Sequence, residues 1–148
     1  MSIYIHKSHN VNVIIYHLVC PTKYRRIVID QPVEKILKET CLAIAQRYDM
    51  HFLEIGTDQD HVHFLIQSVP MMQPTRIVQA VKSITAKQVF KLAPKVKKQL
   101  WGGEFWSDGY YISTVGKHGN EQAVSKYVKE QGKSKEYVKI HQDQLKLF

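Results

Sequence analysis

Apolar and polar positions alternate in short, well-punctuated blocks along this chain. Residues 11–20, VNVIIYHLVC, are rich in β-branched and aromatic side chains and predict a strand ended by Pro21. Lys23-Tyr24-Arg25-Arg26 follows as a basic loop. Asp30 stands where it can cap a helix with Pro32 in its first turn. Val33, Ile36, Leu37, Cys41, Ile44 and Ala45 then recur at helical spacing to about Tyr48. HFLEIG (51–56) and HVHFLIQ (61–67) predict two strands, joined as a hairpin through the turn-forming Thr57-Asp58-Gln59-Asp60. Thr75 is the expected cap of a second helix reaching about Lys91, with Ile77, Val78, Val81, Ile84 and Val89 on one side and Arg76, Ser83 and Lys87 on the other. Residues 92–109 read as irregular, and YYISTV (110–115) as a fourth strand. After Gly116-Lys117-His118-Gly119, Asn120 begins a third helix over about 120–134, and the tail 135–148 is expected to add a short helix.

The order β-α-β-β-α-β plus a C-terminal helix is that of an α+β, ferredoxin-like (RRM-like) fold with a four-stranded antiparallel sheet. Two helices cover one face, and the other is expected to stay open for a ligand, a partner or a further helix. One domain spans 1–148, with a core of about 10–116 and a hinge at 116–119. Fold alone does not give function.

Composition narrows the classes. Hydrophobic residues make up 44% and charged residues 23%, which argues against disorder. No apolar run approaches the ~20 residues that span a bilayer, and the first residues have no apolar stretch of signal-peptide type. Cys20 and Cys41 are too few for a disulfide framework and are expected as reduced thiols of a cytoplasmic protein. Lys and Arg number 21 against 13 Asp and Glu, a net charge of +8, so a polyanion is the expected partner, nucleic acid first.

Two constellations carry candidate chemistry. Side chains alternate faces along a strand, so His61, His63 and Leu65 point one way, while Val62, Phe64 and Ile66 point the other. Two imidazoles about 6–7 Å apart by Cα can chelate one cation, though a third ligand must come from elsewhere. Paired histidines on an exposed strand face are, taken alone, more often merely solvated, since so short a motif has a high false-positive rate. In the third helix Val124, Tyr127, Val128 and Gln131 share a face, which makes Tyr127 and Gln131 neighbours. A phenol can attack phosphorus, and an amide oxygen one turn away is a hard ligand that would make, with His61 and His63, a two-nitrogen, one-oxygen site. The bland alternative is a core-edge tyrosine with its hydroxyl in water.

At this point the chain resembles the single-tyrosine HUH transposases of small insertion sequences of the IS200-like type, related to REP-associated tyrosine transposases. Cys20-Pro21-Thr22-Lys23-Tyr24-Arg25-Arg26 is similar to the family's CPKYRR signature, with Thr22 as one extra residue. Asp60-His61-Val62-His63 resembles its HUH strand. Leu100-Trp101, Phe105-Trp106 and Tyr110 to Gly116 resemble its W…FWS.GYFISTVG block, and Ser125 to Gln131 its nucleophile helix. The resemblance covers roughly residues 10–135. It implies Tyr127 as nucleophile and His61, His63 and Gln131 as ligands of Mg²⁺ or Mn²⁺. The implied reaction is transesterification of single-stranded DNA beside imperfect hairpins, through a 5′-phosphotyrosine and a released 3′-OH. It further implies a homodimer whose sheets join edge to edge. Gly116 and Gly119 would then be a hinge that lets the helix dock in its own or its partner's subunit.

Lys23, Arg25, Arg26, Lys87 and Lys126 are the expected DNA contacts, with Lys95, Lys97 and Lys98 as a further basic group. Trp106 or Tyr110 could stack on a base, whereas Trp101 reads as a core plug. Two rival classes remain. One is a non-catalytic nucleic-acid-binding ferredoxin-like protein, although the sheet face carries histidines where such modules carry aromatics. The other is a domesticated REP-associated nuclease or strand transferase.

Overall fold

Proline and glycine punctuation and two distinct hydrophobic periods set the elements. The computed structural model describes the backbone of residues 5–7, 10–12, 14–100, 103–115 and 136–138, with side chains over 14–100 and 103–115. In chain order the strands are β1 (Ile5–Lys7), β2 (Asn10–Asn12), β3 (Ile14–Pro21), β4 (His51–Thr57), β5 (His61–Ser68), β6 (Tyr111–Val115) and β7 (Glu136–Val138). The helices are α1 (Gln31–Arg47), α2 (Pro74–Leu92) and the short α3 (Pro94–Gln99), with a 3₁₀ turn at Lys23–Arg25.

β1 and β2 pair with each other as a separate ribbon, and the main sheet has the order β6-β3-β5-β4-β7. All its pairings are antiparallel. The unit β3-α1-β4-β5-α2-β6 is the expected ferredoxin-like α+β arrangement around four antiparallel strands. β7 lengthens that sheet by registering Tyr137 opposite Gly56. Three details differ from the sequence pattern. The segment expected as one strand over 11–20 is split between β2 and β3, residues 94–99 are helical within a stretch read as irregular, and 136–138 form a strand where a helix was expected.

Asp30 caps α1, its Oδ1 accepting from the Val33 N–H at 3.0 Å. For α2 the capping position is Gln73, not Thr75, and no side chain accepts there. Pro74 explains the difference: lacking an N–H and fixed near helical φ, it occupies the first helical position and pulls Thr75 inside the helix.

The main core lies between α1, α2 and one sheet face, with Leu37, Cys41, Ile44, Ile77, Val81 and Val89 against Leu18, Val62, Phe64 and Ile66. Phe64 and Ile66 are fully buried, as the strand alternation requires. The opposite face is less open than expected. Ile15, Leu53 and Leu65 form a second small cluster with Val115 beside it, and Glu54 and Gln67 are buried. A bulge between Phe52 and Glu54 interrupts the β4–β5 register. Among the described residues, no helix is long and apolar enough to cross a membrane.

Candidate active site

His61 and His63 lie where the alternation of β5 puts them, opposite Pro21 and Val19 of β3 and on the face away from α1 and α2. Their ring centroids are 5.0 Å apart, with the planes at 70°. Each ring has a partner at Nδ1. His61 Nδ1 lies 2.8 Å from Asp60 Oδ1, to which it donates. His63 Nδ1 shares a 2.9 Å hydrogen bond with His17 Nε2. The His17 and His63 rings meet edge to edge in nearly one plane, centroids 5.2 Å apart and planes 18° apart, and Tyr111 meets His17 edge-on at 6.0 Å.

The electrostatics favour a neutral His63. Burial, reinforced by the neighbouring His17 and His61, pushes the His63 imidazole down to about 4, so it is unprotonated at neutral pH. Burial likewise lowers His17. Burial also works against the charged form of Asp60, but the His61 hydrogen bond and the Arg25 charge outweigh it and hold the carboxyl below its usual range. With both Nδ1 atoms engaged, the Nε2 atoms are the positions open to a cation, a donor set that fits Mn²⁺ or Mg²⁺ only when completed by oxygen ligands. Among the described residues, no group of three or more His, Cys, Asp or Glu could hold a cation. Gln131, the expected third ligand, and Tyr127, Lys126, Gly116 and Gly119 lie outside the described residues.

The basic loop beside the histidines is tightly built. Tyr24 and Arg25 both take left-handed backbone angles, φ 58° and 53°, which are costly for residues with a side chain. Surrounding bonds hold them there. The Thr22 N–H donates to the Asp60 carbonyl at 2.9 Å, the Lys23 N–H to Phe105 O at 2.9 Å, and Val28 and Ile29 N–H both donate to Gln59 O. The Thr22 hydroxyl donates to Arg26 O at 2.7 Å and approaches Asp60 O at 3.1 Å. Thr22, the residue extra to the family signature, is fully buried and bridges to Trp106. It thus stitches the loop to the β4–β5 turn and to the aromatic segment.

The expected DNA contacts separate on this scaffold. The Arg25 guanidinium reaches Asp60 Oδ2 at 3.3 Å, which joins the loop to the His61 side of the site. Lys23 Nζ lies 2.7 Å from Glu104 Oε2 and 3.9 Å from Asp108; its bond to Glu104 raises its proton affinity. Arg26 is exposed in the same loop. Lys87 is exposed on α2, in the helical layer on the other side of the sheet, and the fold does not bring it to the histidines. Trp106 is not available for stacking: it is 5% exposed, and its indole N–H donates to Thr85 Oγ1 at 2.9 Å. Tyr110 is exposed and lines an open cleft of about 540 Å³ between α2 and residues 103–110, together with Gln79, Lys82, Ser83 and Trp106.

Sequence reasoning passed over three residues. His17 carries a signal only once β3 is in register with β5. Asp60 is visible beside His61, but its function needs side-chain geometry. Lys82 donates to Ser107 O at 2.7 Å and stands 5.5 Å from the Tyr110 ring centre, fastening the 107–110 segment to α2.

Comparison with known proteins gives the family and the fold. Residues 10–131 match the family model described as "Transposase IS200 like". The ISDra2 transposase TnpA of Deinococcus radiodurans is 33% identical over 116 residues, covering 78% of this chain and 82% of that protein. The crystal structure of a Deinococcus radiodurans R1 protein described as a transposase superposes with a TM-score of 0.69 at 29% identity, over 85% of this chain and 96% of the other. The fold is shared as well with a REP-associated tyrosine transposase solved bound to a REP hairpin, at a TM-score of 0.52 and 12% identity, over 86% of this chain and 68% of that one. With its HxH strand, its basic loop and a family match that runs nearly the whole length, the chain belongs to the IS200-like transposase family.

Proposed function

We propose that this transposase cleaves and rejoins single-stranded DNA at hairpin-bearing transposon ends through a covalent tyrosine intermediate. The Tyr127 phenolic oxygen attacks the scissile phosphorus, the bond from phosphorus to the 3′-oxygen breaks, and the 3′-oxygen takes up a proton. The 5′-phosphate stays on Tyr127, so the bond energy is kept for rejoining. A phenol ionises near pH 10 in water, so Tyr127 must lose its proton in the site. A Mg²⁺ or Mn²⁺ held by His61, His63 and Gln131 would supply charge stabilisation at the phosphate. Arg25 and Arg26, with Lys23 and Lys126, would meet backbone phosphates, and the cleft beside Tyr110 suits an unpaired base. Lys87 would serve only a strand that continues around α2.

The observation that carries this reading is the pair of imidazoles whose Nδ1 atoms are both engaged, which leaves two Nε2 positions beside a basic loop in a chain of this family. Among the described residues β6 is an edge strand, which suits the proposed edge-to-edge homodimer. Gly116 follows it directly, where a hinge would let the nucleophile helix dock in either subunit. The protein would act in the cytoplasm, where its DNA is.

Incubation with hairpin-bearing single-stranded DNA and Mn²⁺, followed by a denaturing gel, tests the reading. A covalent adduct is expected, absent with EDTA and in Tyr127→Phe. Tight binding without an adduct would favour a non-catalytic binding protein, and an adduct that survives in Tyr127→Phe would refute the nucleophile.

A further inference from the structure

Two side chains outside the HxH pair touch it at the atoms that would not ligate a cation. We propose that Asp60 and His17 are positioning residues, each taking the Nδ1 of one histidine so that both Nε2 lone pairs face a single cation, and that Arg25 fixes Asp60 for this purpose. The proposal rests on the reading that His61 and His63 hold the metal.

A neutral imidazole carries a single N–H. A ring nitrogen that donates cannot ligate, so the proton must sit on Nδ1 if Nε2 is to bind. For His61 this is enforced by chemistry: an ionised carboxylate only accepts, and Asp60 Oδ1 lies 2.8 Å from Nδ1. For His63 the partner is another imidazole, His17, at 2.9 Å. His63 can offer Nε2 only when His17 accepts at its own Nε2 and carries its proton on Nδ1. The two rings lie nearly in one plane, as a hydrogen bond between their nitrogens requires, so the orientation of one sets that of the other.

Asp60 is itself held at two points. Arg25 Nε sits 3.3 Å from Oδ2, and the Asp60 carbonyl accepts from the Thr22 N–H. The two left-handed residues Tyr24 and Arg25 are what turn the loop so that the guanidinium reaches this carboxylate. The loop expected to meet phosphate and the first histidine of the strand are therefore one hydrogen-bonded unit. Outer partners of this type orient ligating imidazoles, and their loss typically weakens metal binding 10–100-fold.

The test uses the full chain in matched pairs: Asp60→Ala with Asp60→Asn, and His17→Leu with His17→Gln. The second member of each pair still offers an acceptor, an amide oxygen in place of the carboxylate oxygen of Asp60 or the ring nitrogen of His17. Two-bond ¹⁵N–¹H correlation spectra of the metal-free protein report the tautomers, and titration with Mn²⁺ alone, followed by electron paramagnetic resonance, reports affinity. Circular dichroism and melting temperature report folding.

The expected result is Nδ1–H at both His61 and His63 in the wild type. Asp60→Ala should disturb the tautomer of His61 only, and His17→Leu that of His63 only. Each should bind Mn²⁺ about 10–100-fold more weakly, with the acceptor-retaining variants closer to wild type. If His17→Leu does not fold, His17→Gln decides that half through the His63 tautomer. Nε2–H at either histidine in the wild type, or unchanged tautomers and affinity in folded Asp60→Ala, would overturn the positioning roles while leaving the metal reading intact. A wild type with both Nδ1–H tautomers that takes up no Mn²⁺ would overturn the metal reading and the positioning proposal with it.

Discussion

His63 links the site to stability through one proton. In the unfolded chain its imidazole protonates near the ordinary 6.5, in the fold only near about 4. Between those values the unfolded state carries more protons, so stability rises with pH through this window and is lost as the solution is acidified. From pH 7 to pH 5 the loss from this residue is about 2 kcal/mol. His17 and His51, both lowered by burial, add to it in the same direction. Urea denaturation midpoints measured from pH 7 to pH 5 should fall for the wild type and fall less for His63→Gln. A flat wild-type profile would show that His63 is not held neutral. At this scale the sequence was informative where chemistry is local. The two-residue spacing of His61 and His63 placed both rings on one face. The His17 contact joins residues 46 apart in the chain and depends on strand register, which no local pattern encodes. Trp106 was misjudged for a related reason: a tryptophan near glycines looks available, and only the tertiary fold supplies Thr85 as partner for its buried N–H.

The helices show how far element boundaries follow from local chemistry. α1 reads cleanly because Asp30, Pro32 and the apolar repeat all agree. α2 has the repeat but no side-chain cap at Gln73, whose extended backbone (φ −68°, ψ 147°) is nonetheless that of a capping residue. The two helices therefore respond oppositely to substitution. Asp30→Ala should cost about 1 kcal/mol, because the Val33 N–H loses its acceptor, and Gln73→Asp should stabilise by about 0.5–1 kcal/mol by supplying one and placing a negative charge at the helix start. Chemical denaturation of both variants checks the pair, and equal destabilisation by both would contradict this account of α2. The elements missed by sequence have physical reasons too. α3 is a single stretch, Pro94–Gln99, with only Val96 buried, too short for a periodic signal. β7 is three residues long and exists by pairing with β4, a contact across more than 75 residues that propensity cannot anticipate.

Across the whole molecule, the net charge of +8 is organised by acidic residues as much as by basic ones. Glu104 and Asp108 face Lys23, and Asp60 faces Arg25, so part of the positive surface beside the histidines is matched internally when no DNA is bound. The 104–108 segment is gripped from two sides, by Lys23 and by Lys82, which donates to the Ser107 carbonyl. A phosphate approaching Lys23 must compete with Glu104. If Lys23 is a DNA contact, Glu104→Gln should tighten binding of single-stranded DNA several-fold at low salt by removing the competitor, with the gain shrinking as salt screens the charges. Lys23→Gln should weaken binding and reduce the salt slope by about 0.7, the contribution of one phosphate on a single strand. Fluorescence anisotropy with a hairpin-bearing oligonucleotide over a series of salt concentrations reads both quantities. A slope unchanged in Lys23→Gln, together with no gain in Glu104→Gln, would assign Lys23 to fastening the aromatic segment and leave phosphate binding to Arg25 and Arg26. The two outcomes differ because counterion release counts only cations that reach phosphate, while the Lys23–Glu104 bond contributes to the fold whether or not DNA is present.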